Sequence, residues 1–159
     1  MKQIILPLIA LYIVACNDKR PTEHNKSKTI DAKQLVLIIQ DSSFTRFREL
    51  VSIIGYPIID SNAYDGKIIY NAEEAGEGEE EGKEGDILTA TMTKNFHIDY
   101  LHFSTYSKEL FGELKQQFIE LGFKSLDNSD NIEEFENNNI YISTTATKKS
   151  YHVILVRKE

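Results

Sequence analysis

The chain of 159 residues has a single cysteine, three prolines and no tryptophan. One thiol cannot form an internal disulfide or a multi-cysteine metal site, so stability must come from an apolar core. Basic residues are also scarce, with 18 lysines and arginines against 25 acidic residues and a net charge of -7. Because nucleic-acid binding needs a basic face that displaces counterions, this balance argues against a nucleic-acid partner.

The sequence also lacks the short motifs of several enzyme classes. It contains no HExxH, no GxSxG, no GxxxxGK[ST] and no glycine-rich dinucleotide fingerprint. We therefore expect no metal, no cofactor and no catalytic centre of these types. A triad assembled from residues distant in sequence stays open, since such triads are defined by geometry rather than by order along the chain.

The composition nevertheless predicts a folded domain. The chain is 41% hydrophobic and 10% aromatic, which is enough to build a core, and its length fits one domain. We place that domain at residues 30–159 and expect a flexible, polar tether directly before it, because residues 17–29 contain no large apolar side chain.

The first residues have the layout of an export signal. Lys2 supplies an early positive charge, the run Ile4–Ala15 is apolar, and a small residue precedes Cys16. This run is shorter than the ~20 residues that a membrane-spanning helix needs. The pattern predicts a signal peptide over residues 1–15 that is removed from the mature protein.

The end of this segment, Ile13-Val14-Ala15-Cys16, resembles the lipobox of bacterial lipoproteins. The resemblance covers the signal alone, about a tenth of the chain. It implies that Cys16 is lipidated and becomes the first residue of the mature chain, so that residues 16–29 tether the domain to a membrane of the cell envelope. It leaves the leaflet open. The alternatives are an ordinary secretory signal in which Cys16 is incidental and a short anchor that stays uncut.

Apolar periodicity predicts two helices and seven strands. One helix follows Asp41 or Ser42 as its cap and ends at Gly55, and the other runs from about Ser107 to Leu121 and ends at Gly122. The strands are predicted at residues 34–39, 67–71, 87–93, 96–105, 132–136, 140–147 and 151–157.

These elements predict an α+β fold in which an antiparallel sheet has two amphipathic helices on one face. The helical regions align with a shift of 67 residues, which places Phe44 on Phe111 and Gly55 on Gly122. The pattern is consistent with two tandem strand-helix-strand-strand units. Shared helix-capping chemistry would produce the same alignment without a repeat, so both interpretations remain open.

The excess negative charge lies in one segment, residues 73–86. It holds eight acidic residues, one lysine and four of the eight glycines, and it accounts for the whole net charge. Such a composition predicts a disordered acidic loop between two strands. Its glutamates are candidate contacts for a basic partner or a cation such as calcium: Glu77, Glu79, Glu80, Glu81 and Glu84. The spacing does not match an EF-hand, and a solvated insertion without function is the simpler interpretation.

Three histidines lie in the predicted domain. His97 and His102 are five residues apart on one predicted strand, so they should face opposite sides of the sheet. His152 is able to approach either of them across the sheet. We expect ordinary structural hydrogen bonds for these side chains rather than a metal site.

Two functions follow from this sequence. The first is a lipid-anchored, non-catalytic module of the cell envelope that binds another protein, for example a basic one, as an inhibitor, immunity or accessory protein. The alternative is a small envelope hydrolase with a site near His102 and His152.

Overall fold

The computed structural model describes residues 29–64, 67–73, 85–93, 95, 97–129 and 131–158. These contain three helices: α1 (Ala32–Asp41), α2 (Phe44–Ile54) and α3 (Lys108–Glu120). They also contain eight strands: β1 (Ile58–Tyr64), β2 (Lys67–Glu73), β3 (Ile87–Met92), β4 (Ile98–Thr105), β5 (Lys124–Ser129), β6 (Ile132–Glu136), β7 (Ile140–Ala146) and β8 (Tyr151–Arg157).

All eight strands form one antiparallel sheet in the order β1-β2-β3-β4-β8-β7-β6-β5. The two halves of the chain each form a four-stranded meander, and they join where β4 pairs with β8. This confirms the predicted α+β class with an antiparallel sheet.

The helices lie on one face of the sheet. Helix α1 contacts α2, α3 and the central strands β4 and β8, so it lies at the middle of the core. Alternate residues of β4 and β8, such as Leu101, Phe103, Val153 and Leu155, are fully buried beneath it. The sequence predicts two helices on this face, and the structure has three.

Helix α1 corrects the first predicted strand, residues 34–39. The run is buried almost all round, with Leu35, Ile38 and Ile39 fully inaccessible to solvent. Periodicity alone does not separate such a run from a buried strand. The distinguishing signal is a capping box: Asp31 Oδ1 accepts from the Gln34 N–H at 2.8 Å, and Gln34 Oε1 accepts from the Asp31 N–H at 2.8 Å.

The junction between α1 and α2 corrects the predicted cap. Ser43, rather than Asp41 or Ser42, is the N-cap of α2, and its side chain makes no capping hydrogen bond. Ser42 instead ends α1 in the left-handed region with φ 48°. Its buried hydroxyl accepts from Arg157 Nη1 at 2.7 Å, which ties this junction to the end of β8.

Helices α2 and α3 end in the same way, as their glycines predict. Gly55 and Gly122 have φ values of 83° and 85°. The residues that follow them bond back five positions, Tyr56 N–H to Val51 O at 2.8 Å and Phe123 N–H to Phe118 O at 3.1 Å. This is the Schellman geometry, which requires a residue that tolerates positive φ.

The chain order is helix and four strands, twice: α2-β1-β2-β3-β4 and α3-β5-β6-β7-β8. The predicted strand-helix-strand-strand order is wrong, since the element before α2 is a helix and four strands follow each of these helices. The shift of 67 residues relates the helices and their caps. It fails from β3 onward because the acidic segment lengthens only the β2–β3 connection.

The strands missed by the sequence analysis, β1 and β5, are the two edges of the sheet. An edge strand has one free side, and polar or charged residues are commonly found there, so the apolar alternation is weak.

The acidic segment connects two neighbouring strands, as predicted, because Glu73 of β2 pairs with Ile87 of β3 in an antiparallel ladder. Residues 74–84 lie outside the described part of the chain. None of the helices in the described ranges has the length and apolar character of a membrane span.

Candidate functional site

The face of the sheet opposite the helices is the most extensive candidate site. Among the described residues, no helix packs on this face. Its side chains alternate with the buried core positions and are half-buried rather than exposed. We call this surface the open face and define its central part by these residues: Ile69, Asn71, Thr89, Thr91, Tyr100, His102, Ser104, Tyr141, Ser143, Thr145, His152, Ile154 and Val156.

Two histidines meet on the two central strands of the open face. His102 of β4 pairs with Ile154 of β8, and His152 pairs with Ser104, so the histidines are diagonal neighbours across the two central strands. His102 Nε2 lies 3.0 Å from His152 Nδ1, and the ring centroids are 5.2 Å apart. The separation of the centroids places both nitrogens nearly on the line that joins the rings, which is the geometry of a hydrogen bond.

The second nitrogen of His152 extends this contact. Ser150 Oγ lies 2.9 Å from His152 Nε2, and it also lies 3.1 Å from Thr147 Oγ1 in the turn between β7 and β8. Ser150 and His152 are two residues apart, so they share a side of the extended chain. We call the hydrogen-bonded series Ser150, His152, His102 the open-face relay.

The environment of His102 disfavours its charged form. Burial lowers the pKa of His102 from its ordinary value of 6.5, and the neighbouring His152 lowers it further. A buried imidazolium loses hydration, and a second positive charge nearby repels it. His102 is therefore neutral near pH 7 and is able to accept a hydrogen bond.

Two tyrosines lie on the same face. Burial raises the pKa of Tyr100 above its ordinary value of 10.0. A hydrogen bond to the Glu134 carboxylate, with smaller contributions from burial and from the carboxylate charge, raises the pKa of Tyr141 to about 12. Both phenols remain protonated at neutral pH, so they offer hydrogen-bond donors beside apolar ring surface.

His97 lies apart from this site. It precedes β4, is exposed and forms an isolated backbone bridge with Ser43. The prediction that His97 and His102 share a strand is therefore wrong, because β4 begins at Ile98. Of the two histidines that His152 was expected to approach, the structure places it against His102.

Other predicted site residues lie outside the described ranges. These are Cys16 and the glutamates Glu77, Glu79, Glu80, Glu81 and Glu84. Within the part of the chain that the structure describes, no group of three or more histidine, cysteine, aspartate or glutamate side chains is placed to hold a metal ion.

A cleft on the helix side offers less than the open face. It lies beside Phe111, Glu133 and Thr144 and has a volume of about 90 Å³. Lys115 Nζ forms an ion pair with Glu133 Oε1 at 2.6 Å at this cleft and lies 5.0 Å from the Phe111 ring centroid. Pockets that enclose small molecules are commonly about 300–1,000 Å³, so this cleft is too small for such a ligand.

Comparison with known protein families, curated proteins and solved structures finds no match for this chain. The site is therefore interpreted from its own geometry. Ser150 is the member that sequence analysis missed, because residues 148–150 were assigned to a turn. The available signal was the Ser150-x-His152 spacing at the start of a strand, which places both side chains on one face.

Proposed function

We propose that the protein is a lipid-anchored module of the bacterial cell envelope that binds a basic protein through the open face. One observation carries the binding proposal: the helices cover one face of the sheet, and within the described residues the other is left without a layer of its own. Antiparallel sheets tolerate solvent on one side, but the side chains on a solvated face are usually polar. Most residues of this face are polar as well, but Tyr100, Val156 and Tyr141 pair across β4, β8 and β7 and form a row of apolar surface among them.

The dimensions of the open face fit a protein interface. Eight strands spaced by ~4.8 Å give a width of about 38 Å, and six residues along each strand give a length of about 20 Å. The resulting area, on the order of 750 Å², is close to the ~800 Å² that each partner buries in a standard-size interface. Tyrosines that combine ring surface with a hydroxyl donor are enriched at such interfaces.

The charge distribution supports a basic partner. The acidic segment connects β2 to β3 and holds the whole net charge of -7. A concentrated negative charge accelerates the encounter with a basic protein, and this effect weakens as salt increases. The lipobox-like sequence that ends in Cys16 supports the membrane anchor, and acyl chains at that residue would hold the module at a bilayer surface.

Site-specific photo-crosslinking in the native cells tests the binding surface. We would place p-benzoylphenylalanine at Thr91 or Ser143 on the open face, and at Glu113 or Gln116, which are exposed on α3, as matched controls. The expected result is one common adduct of a basic protein from both open-face positions, lost at high salt before irradiation. Adducts from the α3 positions alone, or none from the open face, would contradict the proposal.

A second candidate function, a small envelope hydrolase, is favoured by one specific observation. The open-face relay places a serine hydroxyl 2.9 Å from an imidazole whose other nitrogen is 3.0 Å from a second imidazole. A nucleophile, a base and a group that orients the base are the parts of a serine hydrolase centre.

A further inference from the structure

The hydrogen-bond partners of Thr147 make it a donor toward Ser150, which leaves the Ser150 hydroxyl proton free for the open-face relay. A hydroxyl oxygen has two lone pairs and one proton. Thr147 Oγ1 accepts from the Lys149 N–H at 3.2 Å and from the Ser150 N–H at 2.9 Å, which occupies both lone pairs. Thr147 therefore acts toward other groups as a donor, to Ser150 O at 2.8 Å or to Ser150 Oγ at 3.1 Å.

The Ser150 hydroxyl proton consequently has one acceptor left among these groups. Since Thr147 Oγ1 has no lone pair to offer, the Ser150 hydroxyl proton is available to His152 Nε2, which lies 2.9 Å from Ser150 Oγ. A neutral His152 that accepts at Nε2 has its proton on Nδ1. With this tautomer, the proton points to His102 Nε2 at 3.0 Å, and His102 has its own proton on Nδ1.

We infer that Ser150 is a nucleophile for carboxylic esters, with His152 as its general base and His102 as the positioning residue that holds His152 in the correct tautomer. This inference rests on the second candidate function, the hydrolase. The polarity is the one that serine catalysis needs, because the base must accept from the hydroxyl while its other nitrogen donates to an orienting group. In this site a neutral imidazole takes the place that a carboxylate commonly has.

The chemistry balances without a cofactor. Ser150 Oγ adds to the ester carbonyl carbon while its proton passes to His152 Nε2. The ester C–O bond then breaks, and the leaving alcohol takes that proton, which leaves an acyl group on Ser150. Water adds to the acyl carbon and gives a proton to His152 Nε2. Ser150 Oγ leaves, recovers this proton, and the carboxylic acid is released.

The location of the relay favours esters presented on a surface or small esters. Ser150 and His152 are half-buried at the end of the open face, beside the β7–β8 turn. Of the three relay members, His102 lies nearest the middle of the sheet, where burial and the strand ladder fix its ring. The base is therefore supported from within the sheet, and the nucleophile is reachable from solvent.

Phosphonylation tests the assignment without knowledge of the natural substrate. The full chain, purified in detergent, would be treated with a biotinylated fluorophosphonate, and the adduct located by mass spectrometry. The expected product is a phosphonate ester at Ser150, formed as fluoride leaves. His152→Ala should slow labelling by at least about a hundredfold, the usual contribution of a general base. Ser52→Ala, which changes an exposed serine of α2 far from the open face, should leave the rate unchanged.

His102 is tested by rescue. His102→Ala should slow labelling about tenfold through loss of the hydrogen bond that orients His152. His102→Gln should recover most of the rate, because its amide oxygen is able to accept from His152 Nδ1–H. Equal rates for these two variants would contradict the positioning role.

The possible results distinguish a nucleophilic Ser150 from the hydrolase function on which this inference rests. If the chain is folded, as a cooperative thermal transition would show, and no adduct forms at Ser150, the inference is overturned. Labelling spread evenly over Ser104, Ser143 and Ser150 would overturn it as well. Labelling at Ser150 with turnover of p-nitrophenyl acetate supports both the nucleophile and the hydrolase. Labelling without turnover supports the nucleophile and contradicts the hydrolase. Binding through the open face is tested separately by the crosslinks.

Discussion

His102 Nε2 and His152 Nδ1 lie 3.0 Å apart at the junction of the two halves of the sheet. The strands that carry these histidines, β4 and β8, are the last strands of their meanders, so the pair forms only when the two halves of the sheet assemble. Because burial and the second imidazole lower the pKa of His102, this side chain binds a proton less readily in the folded chain than in the unfolded chain.

This difference predicts a pH-dependent stability. The contribution of a neutral His102 is fully present above its ordinary pKa of 6.5, and it is lost as the pH falls through the lowered pKa of the folded state. Urea unfolding between pH 7.5 and pH 4.5 should show a free energy of unfolding that decreases toward acid. His102→Gln should reduce the slope. An identical slope in this variant would assign the acid sensitivity to other groups.

Replacing two glycines, one inside α3 and one at its end, should have opposite effects on the stability of the protein. Gly122→Ala should destabilise the protein by about 1–2 kcal/mol, since φ is 85° there and a Cβ is disfavoured in the left-handed region even though no atom obstructs it. Gly112→Ala, at an exposed position inside α3, should stabilise the protein by about 0.5–1 kcal/mol. Denaturant midpoints measure both. Unchanged stability in Gly122→Ala would contradict the left-handed cap, and a loss of stability in Gly112→Ala would contradict the open space around that position.

The central helix predicts a large effect at Leu35. Its side chain is fully buried in α1, which packs against two helices and the central strands. Leu35→Ala should lower the free energy of unfolding by about 2–5 kcal/mol through lost burial and the cavity left behind. Lys33→Ala is the matched control, because Lys33 lies on the exposed side of the same helix and its replacement should change the stability little. Equal effects would place α1 outside the core.

The open-face phenol Tyr141 offers a spectroscopic test of its surroundings. Since a hydrogen bond to Glu134 is the main cause that raises the pKa of Tyr141 to about 12, Glu134→Gln should move it back toward 10.0. NMR of tyrosine labelled with ¹³C at Cζ follows the titration directly, with assignment by Tyr141→Phe. An unchanged pKa in Glu134→Gln would show that the carboxylate does not reach the hydroxyl.

The sequence predicted the elements whose patterns arise from a one-sided environment. Helices α2 and α3, with a cap residue or glycine at their ends, and the six strands β2, β3, β4, β6, β7 and β8 fit such patterns. The apolar pattern of α1 favours a strand because the helix is covered nearly all round, and the capping box of Asp31 and Gln34 is local evidence for a helix. The edges β1 and β5 were missed because an edge needs little apolar alternation.

The relay was only partly accessible to sequence reasoning. The spacing of Ser150 and His152 follows from strand geometry, but their meeting with His102 depends on the register in which β4 pairs with β8. A shift by one residue would place His152 on the helix face. That register is set by long-range packing, which a single sequence does not display.

Membrane attachment through Cys16 is the claim on which the envelope function depends, and the intact mass of the protein from its native cells measures it most directly. We predict a chain that begins at Cys16, with the added mass of a diacylglyceryl group and an amide-linked acyl chain. A chain that retains Met1 and the apolar segment, or a free thiol at Cys16, would contradict the anchor.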